Sequence, residues 1–243
     1  MKLANLLILE FDDPHLNLSL EEALFTTAER TKNYNVIRLW RNPQSVVMGK
    51  NNKVSLEVCI DKCLKNNVTI SRRFTGGGAV YHDKGNINWT VVTTKKALED
   101  YNFKFITSLY QMMGNVIVEC LKTVNVKAKF QMPNAVYVGS RKISGMAMRV
   151  GKHAVLCHGT LIVNSNIYVF PIFLKRLKAE VTSVQRECGH SISIKTVMRS
   201  FIYSFEKIFK IELKKRKVAK NEEKLMWSLY LKKYSHPWWI YGL

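Results

Sequence analysis

The sequence predicts an α+β fold, a mainly antiparallel sheet flanked by helices, built as a single domain over residues 1–243. Three observations predict it. Strand-like runs follow one another without a helix between each pair, so the pattern is not a βαβ array, and helical periodicity gathers toward the ends. No repeat, low-complexity tract or Pro/Gly-rich linker divides the chain. With 243 residues and 47% hydrophobic content, it can bury a substantial core.

The segment LNLSLEEALFTTAER from Leu16 reads as the first helix. Asn17 or Ser19 can cap it, Glu21 and Glu22 suit its positive first turn, and Leu20, Ala23, Leu24 and Ala28 recur at helical spacing. VIRLW from Val36 and SVVMG from Ser45, joined by RNPQ, read as a hairpin. A helix is expected over Leu56–Lys65, with Cys59 and Cys63 on one face as small buried hydrophobes. VTISRRF then leads into three glycines, and INWTVVTT from Ile87 is the next strand, so the glycines lie between strands. FKFITSLYQMMGNVIVECL from Phe103 has helical periodicity, AVYVGSRKISGMAMR and AVLCHGTLIVN read as strands, and two amphipathic helices are expected from Ile192 to the terminal Trp pair.

Composition narrows the function classes. A net charge of +20 predicts attraction to anions such as nucleotides, nucleic acid, acidic proteins or anionic membranes. The run KKRKVAK, Lys214–Lys220, is short, lacks interleaved aromatics and precedes Glu222 and Glu223, so it reads as a solvated helix end or loop. The five cysteines form an odd set without C-x-x-C spacing, which suggests neither a disulfide framework nor a zinc site. There is no run of about 18 apolar residues, and MKLANLLILEFDDP lacks a long apolar region with a cleavage site. The expectation is a soluble, cytoplasmic protein without membrane contact.

Two segments carry chemistry. In SRRFTGGGAVYHDKGN, Ser71–Asn86, three consecutive glycines imply positive φ and a ligand that approaches closer than a Cβ permits, with N–H groups available to anionic oxygens. The segment is neither a Walker loop nor a G-x-G-x-x-G turn. Arg72 and Arg73 alternate across a strand, so one faces the ligand and the other solvent or a core-edge carboxylate. His82 and Asp83 point to opposite faces, His82 into the pocket and Asp83 toward a turn. In the second segment, GSRKISGMAMRVGKHAVLCHGTLIVN, Lys142 between two strand-like runs can carry a point charge into a pocket.

Together NLSLEEAL, LWRNPQSVVMGKNN, RRFTGGGAVYHDKGNINWT, RKISGMAMR, HGTLIVN, VTSV and KKYSHPWW resemble the lipoate-protein ligase A family, within the biotin/lipoate protein ligase superfamily. The resemblance implies a fold related to class II synthetases and biotin ligases. It also implies two steps: lipoate and ATP give lipoyl-AMP and pyrophosphate, and the acyl group then passes to a lysine of an acyl-carrier domain. On that basis Arg73, Thr75, Gly76, Gly77 and Gly78 match the loop that wraps the adenylate, His82 a pocket histidine, and Lys142 the catalytic lysine at the acyl carbonyl and phosphate. Asn134, Arg149 and His158 match further binding positions, and no residue is assigned to a metal.

Two departures bear on cofactor and partners. The family usually has Asn-Asp upstream of the lysine, where the carboxylate helps hold Mg²⁺; here Asn134 is followed by Ala135, which leaves Mg²⁺ to phosphates and water. Two-domain relatives continue beyond a segment like KKYSHPWW, so the expectation is a catalytic domain without the C-terminal accessory domain, served by a separate small subunit. The carrier, of lipoyl-domain or glycine-cleavage H-protein type, is expected to be acidic around its target lysine, to suit the basic ligase. Lipoate and octanoate are not separated by the sequence. A cysteine-dependent octanoyl- or lipoyltransferase, with Cys157 beside His158, is the nearest alternative. A transferase that uses preformed lipoyl-AMP is another, and a basic nucleic-acid-binding protein is the reading outside enzymes.

Overall fold

The protein is described by a computed structural model over residues 2–99, 107–177 and 179–242. In chain order the strands are β1 (Lys2–Ile8), β2 (Asn35–Trp40), β3 (Ser45–Met48), β4 (Thr69–Arg72), β5 (Val80–His82), β6 (Asn86–Thr94), β7 (Lys129–Gln131), β8 (Ala135–Val138), β9 (Arg141–Val150), β10 (Ala154–Ile162) and β11 (Ile211–Lys215). Among the described residues, eight form one sheet in the order β11-β1-β2-β6-β10-β9-β8-β7, and three form a small sheet, β4-β3-β5. From β2 to β7 the large sheet is antiparallel throughout; β11 and β2 run parallel to β1. The fold is α+β with a mainly antiparallel sheet, as the sequence predicts.

The helices are α1 (Pro14–Glu29), α2 (Val54–Glu57), α3 (Ile60–Lys65), α4 (Lys95–Glu99), α5 (Ser108–Lys122), α6 (Phe170–Phe173), α7 (Val184–Cys188), α8 (Ile194–Phe209), α9 (Lys220–Leu229) and α10 (Pro237–Tyr241). Alternation along the central strands sorts the core. Trp89, Val91 and Cys157 face α5 and α8, where Met113, Ile117, Phe201 and Phe205 close the larger core. Val92 and Leu156 face the other way, beneath Leu20, Ala23 and Leu24 of α1 and Met226 of α9. A third core joins the small sheet to α6 through Val46, Met48, Ile70, Tyr81, Phe170 and Phe173. No described helix is long and apolar enough to cross a membrane.

Several elements differ from expectation. Helix α1 begins at Pro14, with Asp13 as the cap: its carboxylate accepts the N–H groups of His15 at 2.7 Å and Leu16 at 3.4 Å. Asn17, Ser19 and Glu21 are instead buried within the helix. The expected hairpin is absent, because both edges of β2 are taken by β1 and β6, and β3 joins the small sheet. The helix expected over Leu56–Lys65 is broken at Val58, which is extended and bridges to Leu174, so Cys59 caps α3 while Cys63 is buried.

The N-terminal strand β1 is unforeseen, and β11 interrupts the region read as two helices. Lys214 and Lys215 therefore lie in a strand paired with β1, and Arg216 just beyond is tied to Glu222 at 2.7 Å. The first two residues of KKRKVAK thus extend the sheet edge, while residues 216–219 form the loop that the sequence suggests and Lys220 opens α9. The start of the helix expected from Phe103 lies outside the described residues, and α5 is seen from Ser108.

Candidate active site

Two hollows meet on the α1 side of the sheet and share Gly78, Val80, Lys142, Gly145 and Thr160. The first is mostly apolar, with Tyr81, Ile162, Phe170, Leu174 and Val181 in its wall. The second runs under α1 and is lined by Leu18, Trp40 and Met146 together with Glu21, Arg73, His82, Asn88 and His158.

Lys142 stands at the junction. It is the second residue of β9, rather than lying between strands, and its backbone is fixed by Glu180 O at 2.8 Å and Thr182 N at 2.9 Å. The lysine lies over Gly145, where an added Cβ would sit 2.8 Å from Lys142 Cε and 2.9 Å from Nζ. The glycine of K-I-S-G therefore makes room for the lysine three residues earlier.

The glycine loop is held from beneath by Arg73. Its guanidinium donates to Val47 O at 2.9 Å, Gly76 O at 2.7 Å, Gly78 O at 2.9 Å and Thr75 Oγ1 at 3.2 Å. Burial lowers its pKa to about 10. Because the Gly76 carbonyl turns toward Arg73, the Gly77 N–H of the same planar peptide turns away from it. Gly77 has φ +95°, and a Cβ on Gly49 would meet Gly77 O at 2.0 Å. The Ala79 N–H is taken by Glu57 Oε2 at 2.9 Å. Arg73 lines the second hollow, as expected, but its hydrogen bonds go to the loop. Arg72 meets neither solvent nor a carboxylate. It is buried, donates to the carbonyls of Gly49, Lys50, Asn52 and Ile240, and accepts at its own carbonyl from Trp239 Nε1.

Beneath α1 the polar side chains bind one another. His158 Nδ1 is 3.0 Å from the Glu21 carboxylate and its Nε2 is 2.7 Å from Thr75 Oγ1. Burial opposes charge on Glu21, but His158, Thr90 and Arg38 outweigh it and hold this carboxyl below the ordinary range. His82 lies between Asn42 Nδ2, 3.1 Å from its Nδ1, and Thr160 Oγ1, 2.9 Å from its Nε2. Burial first, and then the Arg73 charge, lower its pKa to about 3, so the ring is neutral. Asp83 shapes the following turn by accepting the Gly85 N–H at 2.8 Å.

The structure thus gathers Lys142, Arg73, Gly77, Gly78, His82, Asn134 and His158 around the hollows, with Thr75 bonded to His158 behind them. Gly76 is exposed at the loop's tip, and Arg149 lies exposed farther along β9, outside both linings. Asn134 is pinned to β9 by a 2.6 Å bond from its Nδ2 to Met146 O. Cys157 is buried on the opposite face, in the α5/α8 core, where burial pushes its thiol far up. Among the described residues no cluster of three His, Cys, Asp or Glu could hold a metal.

Glu21, Glu57, Asn88 and Thr160 line this site without having been singled out. One signal was available for Glu21: with Asn17 it places two polar residues four apart on the same face of a helix that is otherwise apolar there.

The chain matches the lipoyl protein ligase A/B catalytic domain over residues 13–206. It is 28% identical over 259 residues to lipoate-protein ligase A subunit 1 of Thermoplasma acidophilum, covering 98% of this chain and 96% of that one. The lipoate protein ligase of that archaeon with bound lipoic acid superposes with a TM-score of 0.90 at 28% identity over 100% of both chains. A lipoate-protein ligase A bound with ATP gives 0.89, also at 28% and over 100% of both. A biotin protein ligase from Aquifex aeolicus, at 15% identity, covers 93% of this chain and 74% of its own with a TM-score of 0.50, and shares the fold alone. The chain spans about half the length of the first curated relatives it matches, 48% and 49%. From the domain match, which spans most of its length, the chain belongs to the lipoyl protein ligase A/B catalytic domain family.

Proposed function

We propose that this chain is the catalytic subunit of an ATP-dependent lipoate-protein ligase. The observation that carries the reading is the position of Lys142, where a mostly apolar hollow and a deep hollow under α1 meet behind a glycine loop. A reaction that joins two different molecules and then hands one to a third needs such a junction.

The first hollow suits the nucleotide. Strand β5 is an edge of the small sheet, paired among the described residues with β3, and beside it Tyr81, Phe170, Leu174 and Val181 form a wall that can hold a flat base. The second hollow suits the acyl chain. Leu18, Trp40, Val80 and Met146 give it apolar surface, while most of its polar groups are bonded to one another.

In the first step a carboxylate oxygen of lipoate attacks the α-phosphorus of ATP. A P–O bond forms, the bond to pyrophosphate breaks, and lipoyl-AMP is left across the junction. Negative charge builds on the phosphoryl oxygens, where Lys142 and the Gly77 N–H can meet it. In the second step an uncharged carrier lysine attacks the acyl carbon. The C–O bond to AMP breaks, the amide forms, and the amine loses a proton. Lys142 serves both steps by stabilising charge on oxygen, and no protein nucleophile is required. The Cys157 thiol faces away from the hollows, which argues against a cysteine thioester route.

Among the described residues, Glu57 alone brings a carboxylate to the lining of the first hollow, and Ala135 brings none. The donor set does not form a protein cage for Mg²⁺, but it fits Mg²⁺ carried on the nucleotide's phosphates with its waters. Lys142, Arg73 and the Gly76–Gly78 loop are the residues to which we assign the adenylate, with Thr75, His82, Asn134 and His158 shaping the acyl side. Arg149 is assigned only as a group at the outer end of β9.

The partners follow from charge and relatives. A net charge of +20 suits an acidic carrier domain. The Thermoplasma system is described as a bi-partite lipoate protein ligase and its E2 lipoyl domain, which supports a lipoyl domain as acceptor and a second polypeptide as partner here. Ala135 favours one further reading, in which the isolated chain transfers preformed lipoyl-AMP but makes little of it. Mass spectrometry of a carrier domain incubated with the chain, with either lipoate, ATP and Mg²⁺ or synthetic lipoyl-AMP, tests both readings. Modification from lipoyl-AMP alone selects the second, and no modification from either donor removes both.

A further inference from the structure

Among the described residues, the second hollow contains one buried side-chain nitrogen without a hydrogen-bond partner. Asn88 is 2% exposed, lines this hollow and has no partner for Nδ2. Its orientation is set by a hydrogen-bond chain whose direction can be followed from a group that can only donate. Arg38 Nη2 donates to Asn17 Oδ1 at 2.7 Å, which leaves Asn17 Nδ2 to donate to Asn42 Oδ1 at 2.9 Å. Asn42 Nδ2 therefore donates to His82 Nδ1 at 3.1 Å, so a neutral His82 carries its proton on Nε2 and donates it to Thr160 Oγ1 at 2.9 Å. The Thr160 hydroxyl in turn donates to Asn88 Oδ1 at 2.9 Å. Turning the Asn88 amide over would take away the acceptor that the Thr160 hydroxyl proton has in Oδ1. The depressed pKa of His82 supports the neutral ring on which this direction depends.

The chain of donors ends in an unpaired N–H group in the hollow assigned to the acyl chain. A buried donor left unpaired is a cost that a ligand can relieve. Its position indicates which part of the ligand does so. Asn88 lies opposite Thr160 across one strand pair, and Thr160 lies opposite Gly145, beneath the Lys142 amine, across the next. Two inter-strand steps amount to about 10 Å. A substrate whose carboxyl end reacts at Lys142 therefore brings its far end to Asn88.

We propose that Asn88 is a specificity-determining residue for the acyl substrate: its Nδ2 donates to a soft acceptor at the distal end, a ring sulfur of the dithiolane, and so favours lipoate over acyl chains that end in hydrocarbon. The inference rests on the reading of the chain as a lipoate ligase. Thioether-type sulfur is a weak acceptor, so the preference is modest, and a plain hydrocarbon end offers the donor no acceptor at all.

The test compares lipoate with its carbocyclic analogue, in which both ring sulfurs are replaced by CH₂, in the wild type and in Asn88→Leu. Binding is read by calorimetry and activation by pyrophosphate release in the presence of the partner subunit. The wild type should favour lipoate by about tenfold, and Asn88→Leu should reduce that preference to about twofold, through the Kd and KM for lipoate. An undiminished preference in the variant overturns the proposal. If the variant does not fold, the wild type decides: equal Kd values for the two acids overturn the proposal, and tighter binding of lipoate supports it. If the wild type binds and activates neither acid, the ligase reading itself fails, a result distinct from equal use of both.

Discussion

The two hollows reach opposite chemistry by opposite means. The first is mostly apolar, with Glu57, Lys142, Ser144 and Arg176 among the polar side chains in its lining and the glycine loop beside it. The second is rich in polar side chains, yet Glu21, His158, Thr75, Arg73, His82 and Thr160 are bonded to one another or to the loop, so it offers a chain-like ligand little polarity. What a pocket can recognise depends on the groups left unpaired, more than on the residues lining it. Among the described residues, Lys142 is the one cation that lines both hollows, and its substitutions should have the largest effects.

Lys142→Ala should reduce both adenylate formation and transfer from synthetic lipoyl-AMP by on the order of 10²-fold or more, because charge develops beside this amine in each step. A circular dichroism melt should be unchanged. Loss of one step alone would show that the hollows do not share the lysine. Gly145→Ala should give the next largest effect. The new Cβ would sit 2.8 Å from Lys142 Cε and displace the amine without touching either hollow's far wall. A misplacement of this kind should cost roughly 10-fold to 10²-fold in rate, with Kd for lipoate unaltered; a parallel loss of lipoate binding would mean that Gly145 shapes the acyl hollow instead.

Much of this site was legible in the sequence, for physical reasons that also mark where reading stopped. TGGGAV and K-I-S-G stand out because a positive φ, found at Gly77 alone of the three, and a side chain lying over Gly145 each demand glycine locally. Their hydrogen-bond partners could not be read. Arg72 and Arg73 both bind carbonyls brought together by β3, the loop after it and α10, contacts that no alternation rule supplies. The β2–β3 hairpin was misread because a two-strand pattern with a turn does not reveal that both edges of β2 are already occupied. Strand β11 was missed because its Lys and Glu residues read as a charged helix, whereas pairing with β1 decides its form.

Glu21→Gln would break the self-satisfied hollow. The fully buried carboxylate faces His158, so removing its charge should destabilise the protein by on the order of 3 kcal/mol, or roughly 6–12 °C in Tm for a chain of this size. Since the native carboxyl titrates below its unfolded value, its contribution is full above the ordinary carboxylate range and is lost as pH falls through the native pKa. The stability gap between wild type and variant should therefore narrow in acid. A gap independent of pH would mean that Glu21 acts through packing alone. The Lys142 junction, on the first hollow's side, should be little affected at neutral pH in protein that remains folded.

At neutral pH the smallest effect concerns His82, and its signature is a slope rather than a level. In the folded protein its pKa is about 3, against an ordinary value of 6.5, because burial and the Arg73 charge both disfavour the imidazolium. Between those two values the unfolded chain binds a proton that the folded chain refuses. Stability should therefore fall as pH drops below 6.5, by up to about 1.4 kcal/mol per pH unit from this one group, and the decline should level off near pH 3. His82→Gln cannot titrate there. It should lower stability at neutral pH by disturbing the chain from Asn42 to Thr160, and it should also flatten the slope of stability against pH in that window. Denaturant melts at a series of pH values on both proteins separate slope from level. Parallel curves would show that His82 titrates normally in the folded state, and the directed hydrogen-bond chain ending at Asn88 would then lose the neutral ring on which it depends.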